Sequence, residues 1–185
     1  MRRSAKGVIA AAVNSEAIAS ILVVSGDSDV LAWAAGLGDM VVPLRQPEAT
    51  PGLNAAISLG RQWALDSHAD RLMSLFADLP LLDEGDVLQM ASHPQRLLLG
   101  PDRQGLGTNA LVLNLDDPGS LFRFAFGDAS LSRHLREAQR LGLDYALHDS
   151  VGTRFDLDTP QDWSDFLETL SEIGIHGPLE WVGAR

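Results

Sequence analysis

Short apolar runs alternate with longer stretches of helical periodicity along the chain, and this alternation restricts the fold more than any single motif. Ile21-Leu22-Val23-Val24, Met40-Val41-Val42, Arg71 to Phe76, Leu97-Leu98-Leu99, Ala110 to Leu113 and Tyr145-Ala146-Leu147 read as strands. Helical segments are expected from Lys6 to about Ser20, Asp29 to Ala35, Leu53 to Ser67, Asp83 onward, Ala129 to Leu141, and Pro160 to Ile173. In the third of these, Leu53, Ala56, Ile57, Leu59, Trp63 and Ala64 share one face. Thr159 and Pro160 form an N-cap and first-turn start signal for the last helix. Strands separated by helices predict an α/β fold with a parallel or mostly parallel sheet covered by helices. At 185 residues the chain reads as a single domain, 1–185, long enough to bury a core.

Composition excludes several partner classes. The sequence has no cysteine, which removes disulfides and thiolate metal sites and fits a cytoplasmic location. No apolar run reaches the length of a membrane span, and Lys6, Asn14 and Glu16 interrupt the alanine-rich N-terminal stretch, which reads poorly as a signal peptide. A net charge of −11 argues against nucleic acid and against anionic membranes as partners. The same field opposes any anionic substrate, so a phosphate ligand needs local cations, helix N-termini or a metal ion.

Where one apolar run ends, Phe76-Ala77-Asp78-Leu79-Pro80 sets a carboxylate at the C-terminal end of a strand. That is the edge where ligands bind in open α/β sheets. Read alone, Asp78 is also an ordinary turn residue. A second acidic cluster follows at Asp156-Leu157-Asp158, whose two carboxylates point to the same side of an extended segment. Asp78 with Asp158, helped by Asp156, offers the hard oxygen ligands that Mg²⁺ takes alongside phosphate oxygens and water. The bland alternative for Asp158 is support for the cap of the last helix.

Two further segments are candidates for anion contact. Asp102 to Asn109 is a polar loop whose Gly105 and Gly107 allow close backbone approach, although such loops usually only turn the chain. Phe126-Gly127-Asp128-Ala129-Ser130 opens a helix on which Ser130 and His134 share a face. Ser130 as a plain helix-start residue is nearly as good a reading. His68, His93, His148 and His176 lack ligand spacing and read as surface or loop residues; the four tryptophans read as core or boundary aromatics.

Taken in order, Gly52-Leu53-Asn54-Ala55-Ala56, Ala77-Asp78-Leu79-Pro80-Leu81, Gly107-Thr108-Asn109-Ala110-Leu111, the Gly127 segment with His134, and Asp156 to Asp162 resemble the 2-phospho-L-lactate and phosphoenolpyruvate guanylyltransferases. These are relatives of the molybdenum-cofactor guanylyltransferases. The resemblance runs from about Ile21 to about Leu170. It implies a Rossmann-like three-layer sandwich that transfers GMP from GTP to a phosphorylated three-carbon acid with Mg²⁺, releasing diphosphate, in deazaflavin coenzyme biosynthesis. It implies that Asp78, Asp156 and Asp158 hold metal, with Asp78 and Asp158 at the catalytic centre. Thr108, Gly127, Ser130 and His134 would contact the acid, and Gly52, Leu53 and Asn54 would lie along the guanine nucleotide. The family begins with an extra strand and a cationic phosphate loop, whereas this sequence starts within what resembles the following helix. The expectation is therefore that the strand and loop are absent here, which favours edge pairing of two copies as a homodimer. Two other readings compete. One is a nucleotidyltransferase for a different acceptor, such as molybdopterin or a sugar phosphate. The other is an inactive relative that binds a partner.

Overall fold

The strands form where leucine and β-branched runs have both faces to bury, and the helices where the apolar positions recur on one side. The computed structural model describes residues 2–156 and 160–172. In chain order the elements are α1 (Arg2–Asn14), β1 (Ile21–Ser25), α2 (Ser28–Ala35), β2 (Val41–Arg45), α3 (Leu53–Asp66), β3 (Arg71–Leu75), α4 (Glu84–Ser92), β4 (Leu97–Pro101), β5 (Thr108–Asn114), a 3-10 turn (Gly119–Leu121), α5 (Ser130–Leu141), β6 (Tyr145–Leu147), α6 (Val151–Arg154) and α7 (Pro160–Glu172).

Four strands make one sheet in the order β3-β5-β4-β6. β5 is antiparallel to both β3 and β4, while β4 and β6 are parallel. Thus β3, β4 and β6 point the same way and β5 alone runs against them. β1 and β2 form a separate parallel pair. Among the described residues no ladder joins β1 to β3, and α3 packs on both strands.

The sandwich follows from side-chain alternation along β4 and β5. Leu97, Leu99, Leu111 and Leu113 face one way, toward Leu131 and Ala138 of α5 and the aromatic pair Phe122 and Phe126. Leu98, Ala110 and Val112 face the other way, toward Val8 and Ala11 of α1 and Val87 and Met90 of α4. A strand buried on both faces has no polar positions to alternate, which is why β4 reads as unbroken leucine. Asp83 starts α4 as expected: its Oδ1 accepts from the Asp86 N–H at 2.8 Å, and the Asp86 carboxylate accepts from the Asp83 N–H at 3.5 Å. No helix among the described residues is long and apolar enough to cross a membrane.

Several boundaries differ from expectation. α1 stops at Asn14 rather than near Ser20, because Ser15 Oγ donates to the Ala12 carbonyl at 2.7 Å and Glu16 takes a left-handed φ of 54°. β2 does not end at Val42 but runs on to Arg45, through Pro43, which pairs with Val23. A residue without an N–H is tolerated in such an edge strand. β5 begins at Thr108, so Thr108 and Asn109 are strand residues and the polar loop ends before them. The single-turn helix α6 was not expected; Ser150 caps it by accepting from the Thr153 N–H at 3.1 Å.

Candidate active site

The N-terminal end of β5 is the point where the candidate segments meet. The Asn109 carbonyl accepts the Phe76 N–H at 3.1 Å, which fixes the end of the β3 segment two residues before Asp78. The Asn109 side chain donates to the Thr153 carbonyl at 3.0 Å and to that of Arg154 at 3.5 Å, two residues before Asp156. One buried asparagine, 2% exposed, therefore holds both acid-bearing segments at the same sheet edge. Asp78 and Asp156 are each half-buried, and Asp158 lies outside the described residues.

Next to Asn109, Thr108 is 1% exposed and its Oγ1 lies 3.1 Å from His134 Nδ1. His134 Nε2 accepts the Ala125 N–H at 3.0 Å. Phe126 crosses the His134 ring edge-on at 4.7 Å, and Phe122 lies 5.7 Å away. Burial among these rings, then the nearby Arg133 charge, pushes the His134 pKa down to about 4. The ring is fully buried. The expectation that His134 contacts substrate is thus revised: it stands behind Thr108, with both nitrogens engaged inside the protein. Ser130, on the same helical face, is 2% exposed, whereas Gly127 is exposed with φ 109° and Ala129 takes a left-handed φ of 51°. A Cβ at the Gly127 conformation is strained, so the turn needs glycine there.

The α3 N-terminus joins the same neighbourhood. Asn54 Oδ1 accepts the Phe126 N–H at 2.8 Å and Asn54 Nδ2 donates to the Phe126 carbonyl at 3.2 Å. The amide expected to lie along a nucleotide clasps the loop that leads to Gly127. Gly52 and Leu53 are exposed at the start of α3, where Gly52 adopts φ 94°. Within the polar loop, the Leu106 carbonyl accepts the Leu131 N–H at 3.1 Å, tying that loop to the first turn of α5. Arg103 forms an ion pair with Asp165 of α7 and lies 5.2 Å over the Phe155 ring, next to Asp156.

In the sequence Asn109 reads only as the end of a polar loop, Asn54 only as a nucleotide contact, and Arg61 carries no signal. Arg61 donates to the Phe122 carbonyl and sits 5.2 Å over Phe124. The only sequence signal for the asparagines was their place next to glycine-containing loops. His148, read as a loop residue, instead pairs with Asp86 at 3.4 Å. Burial raises the Asp86 pKa, but hydrogen bonds from His148, Ser150 and the Asp83 amide outweigh it and leave the carboxyl below its usual value.

Among the described residues no three His, Cys, Asp or Glu side chains are gathered around a point. The donor set still fits Mg²⁺, which takes one or two carboxylates and completes its shell with phosphate oxygens and water. Asp78 and Asp156 carry hard oxygen donors of that kind, and the sequence has no cysteine to offer a softer thiolate.

The same fold occurs in solved structures of nucleotide-handling transferases. One from Desulfovibrio desulfuricans, assigned as a nucleotide-diphospho-sugar transferase, aligns over 98% of this chain and 79% of its own with a TM-score of 0.68 at 16% identity. A cytidylyltransferase from Leptospira borgpetersenii aligns over 88% of this chain and 76% of its own with a TM-score of 0.52 at 13% identity. At these identities the likeness is one of fold, an α/β sandwich shared with a nucleotide-diphospho-sugar transferase and a cytidylyltransferase. Sequence comparison narrows the class. Phosphoenolpyruvate guanylyltransferase of Sphaerobacter thermophilus is 38% identical over 162 residues, 86% of this chain and 72% of that protein. 2-Phospho-L-lactate guanylyltransferase of Methanothermobacter thermautotrophicus is 31% identical over 85% of this chain and 64% of its own length. Residues 3–179 match the family described as guanylyl transferase CofC like, and the chain belongs to that family.

Proposed function

We propose that this protein transfers GMP from GTP to the phosphate of phosphoenolpyruvate or 2-phospho-L-lactate and releases diphosphate, a step toward a deazaflavin coenzyme. The observation that carries the reading is the Asn109 junction, which draws the Asp78 and Asp156 segments to the sheet edge beside Thr108. In the reaction, an oxygen of the acceptor phosphate attacks the α-phosphorus of GTP. The bond from that phosphorus to the bridging oxygen breaks, and diphosphate leaves with the electron pair. No protein nucleophile is needed, which suits a chain without cysteine.

The difficulty is electrostatic, because two polyanions must meet in a protein of net charge −11. Asp78, Asp156 and Asp158 would hold Mg²⁺. Bound there, it supplies positive charge against the phosphates in attack and departure. The chain's own contribution is positioning. The Gly127–Ser130 turn and the start of β5 hold the acid, and the first turn of α3 at Gly52, Leu53 and Asn54 lies along the nucleotide.

The test is diphosphate release with GTP, Mg²⁺ and each three-carbon acid in turn, with molybdopterin and sugar phosphates as competing acceptors. Release dependent on either acid is expected. A folded sample that releases none, or that prefers another acceptor, refutes the assignment.

A further inference from the structure

Phe122 to Phe126 belongs to no helix or strand, yet side chains from two helices hold its backbone. From α3, Arg61 donates to the Phe122 carbonyl and Asn54 clasps Phe126. From α5, Glu137 Oε1 accepts the Arg123 N–H at 3.0 Å and His134 Nε2 accepts the Ala125 N–H at 3.0 Å. Among these side chains, only His134 also bonds to the sheet, through Thr108 Oγ1 at 3.1 Å.

The bond pattern dictates the state of the ring. A backbone N–H can only donate, so Nε2 must carry the lone pair. In the neutral ring the proton then sits on Nδ1 and is donated to Thr108 Oγ1. An imidazolium would set a second N–H against that of Ala125, and the depressed pKa of about 4 keeps the ring neutral near pH 7.

We propose that His134 is a positioning residue for the acceptor half of the site. As the Nδ1–H tautomer it ties the Ala125 amide to Thr108 and so fixes the Gly127–Ser130 turn against β5. His134 does not itself touch the acceptor. The inference rests on the guanylyl-transfer reading for the identity of that acceptor, while the tie itself stands on the geometry alone. A turn that binds an anion through backbone groups loses affinity when its amides are free to tilt, so the effect should fall on the acid and spare GTP.

Two measurements on the full chain decide it. With ¹⁵N-labelled histidine at pH 7, the His134 ring should show a protonated Nδ1 and a bare Nε2; the opposite tautomer, or an imidazolium, overturns the tie. In steady-state transfer, H134F should raise KM for phosphoenolpyruvate roughly tenfold, the scale of unpaired buried hydrogen-bonding groups, with KM for GTP within about twofold. H134Q, whose amide keeps one donor and one acceptor, should recover part of the loss. In a T108V background H134F should add less than it does alone, since both changes cut the same link. Equal rises in both KM values, or full additivity in that cycle, would reduce His134 to a packing residue. If H134F does not fold, H134Q and T108V carry the same cycle. If the unaltered chain releases no diphosphate with either acid, the functional reading fails separately. The tie is then judged by the nitrogen spectra and by faster hydrogen exchange of the Ala125 amide in H134Q, and unchanged exchange there counts against it.

Discussion

Replacing Asn54 by alanine removes both hydrogen bonds to Phe126, the 2.8 Å bond to its N–H and the 3.2 Å bond to its carbonyl. Phe126 is 5% exposed, so water reaches those backbone groups poorly. At about 1 kcal/mol net for each bond, with more for a group left unpaired, the loss is about 2–3 kcal/mol. Better helix propensity of alanine in the first turn of α3 offsets about 0.5 kcal/mol. For a domain of this size the remainder lowers Tm by roughly 4–8 °C. Asn54→Asp keeps an acceptor for the Phe126 N–H but sets a carboxylate against the carbonyl, so it should lose a comparable share of stability. Thermal unfolding followed by circular dichroism measures the change, and acceptor KM reports the loosened approach to Gly127. An alanine variant that melts within about 1 °C of the parent, with acceptor KM unchanged, would show that the clasp holds nothing.

Other expectations follow from the same geometry. Asp78→Asn should abolish guanylyl transfer while Tm stays close to that of the parent, and full activity in that variant would remove Asp78 from the metal site. His134 is neutral in the fold, with its pKa lowered from 6.5 to about 4, so the unfolded chain binds more protons between those values and stability rises with pH there. Its contribution is fully present above about pH 6.5 and is lost as pH falls toward 4, about 3 kcal/mol in all. Denaturant titrations across that window should show the slope in the parent and a flatter one in H134F. Gly152→Ala would place a Cβ 1.9 Å from Asp86 Oδ2 and 3.0 Å from the Leu81 carbonyl. With backbone on one side, relief requires movement of α6, and a loss of about 1–3 kcal/mol is expected by chemical denaturation.

The parts of the site legible in the sequence are those whose signal is local. Asp78 could be read because an apolar run followed by a carboxylate and a proline marks a strand end wherever the strand pairs. Asp83 could be read as a helix start because its capping partner Asp86 lies three residues away. His134 was found for its spacing from Ser130 but misread as a ligand contact. Spacing puts two side chains on one helical face without saying whether that face meets solvent or the aromatic cluster of Phe122 and Phe126. Asn109 and Asn54 were harder still, because their partners lie 44 and 72 residues away in sequence.

By itself the sequence determined the alternation of strands and helices, a carboxylate shortly after the β3 run, and the family resemblance. All of these depend on residue order and short-range periodicity. The second acidic segment follows the single-turn helix α6 rather than a strand. Only the tertiary structure decided that β5 runs against β3 and β4. An apolar run such as Ala110 to Leu113 carries no record of its direction, and the ladder forms only when its neighbours are in place. That reversal sets Thr108 and Asn109 at the carboxyl edge of β3 and β4. It lets one asparagine gather the two acid-bearing segments and one neutral histidine tie the loop to the sheet.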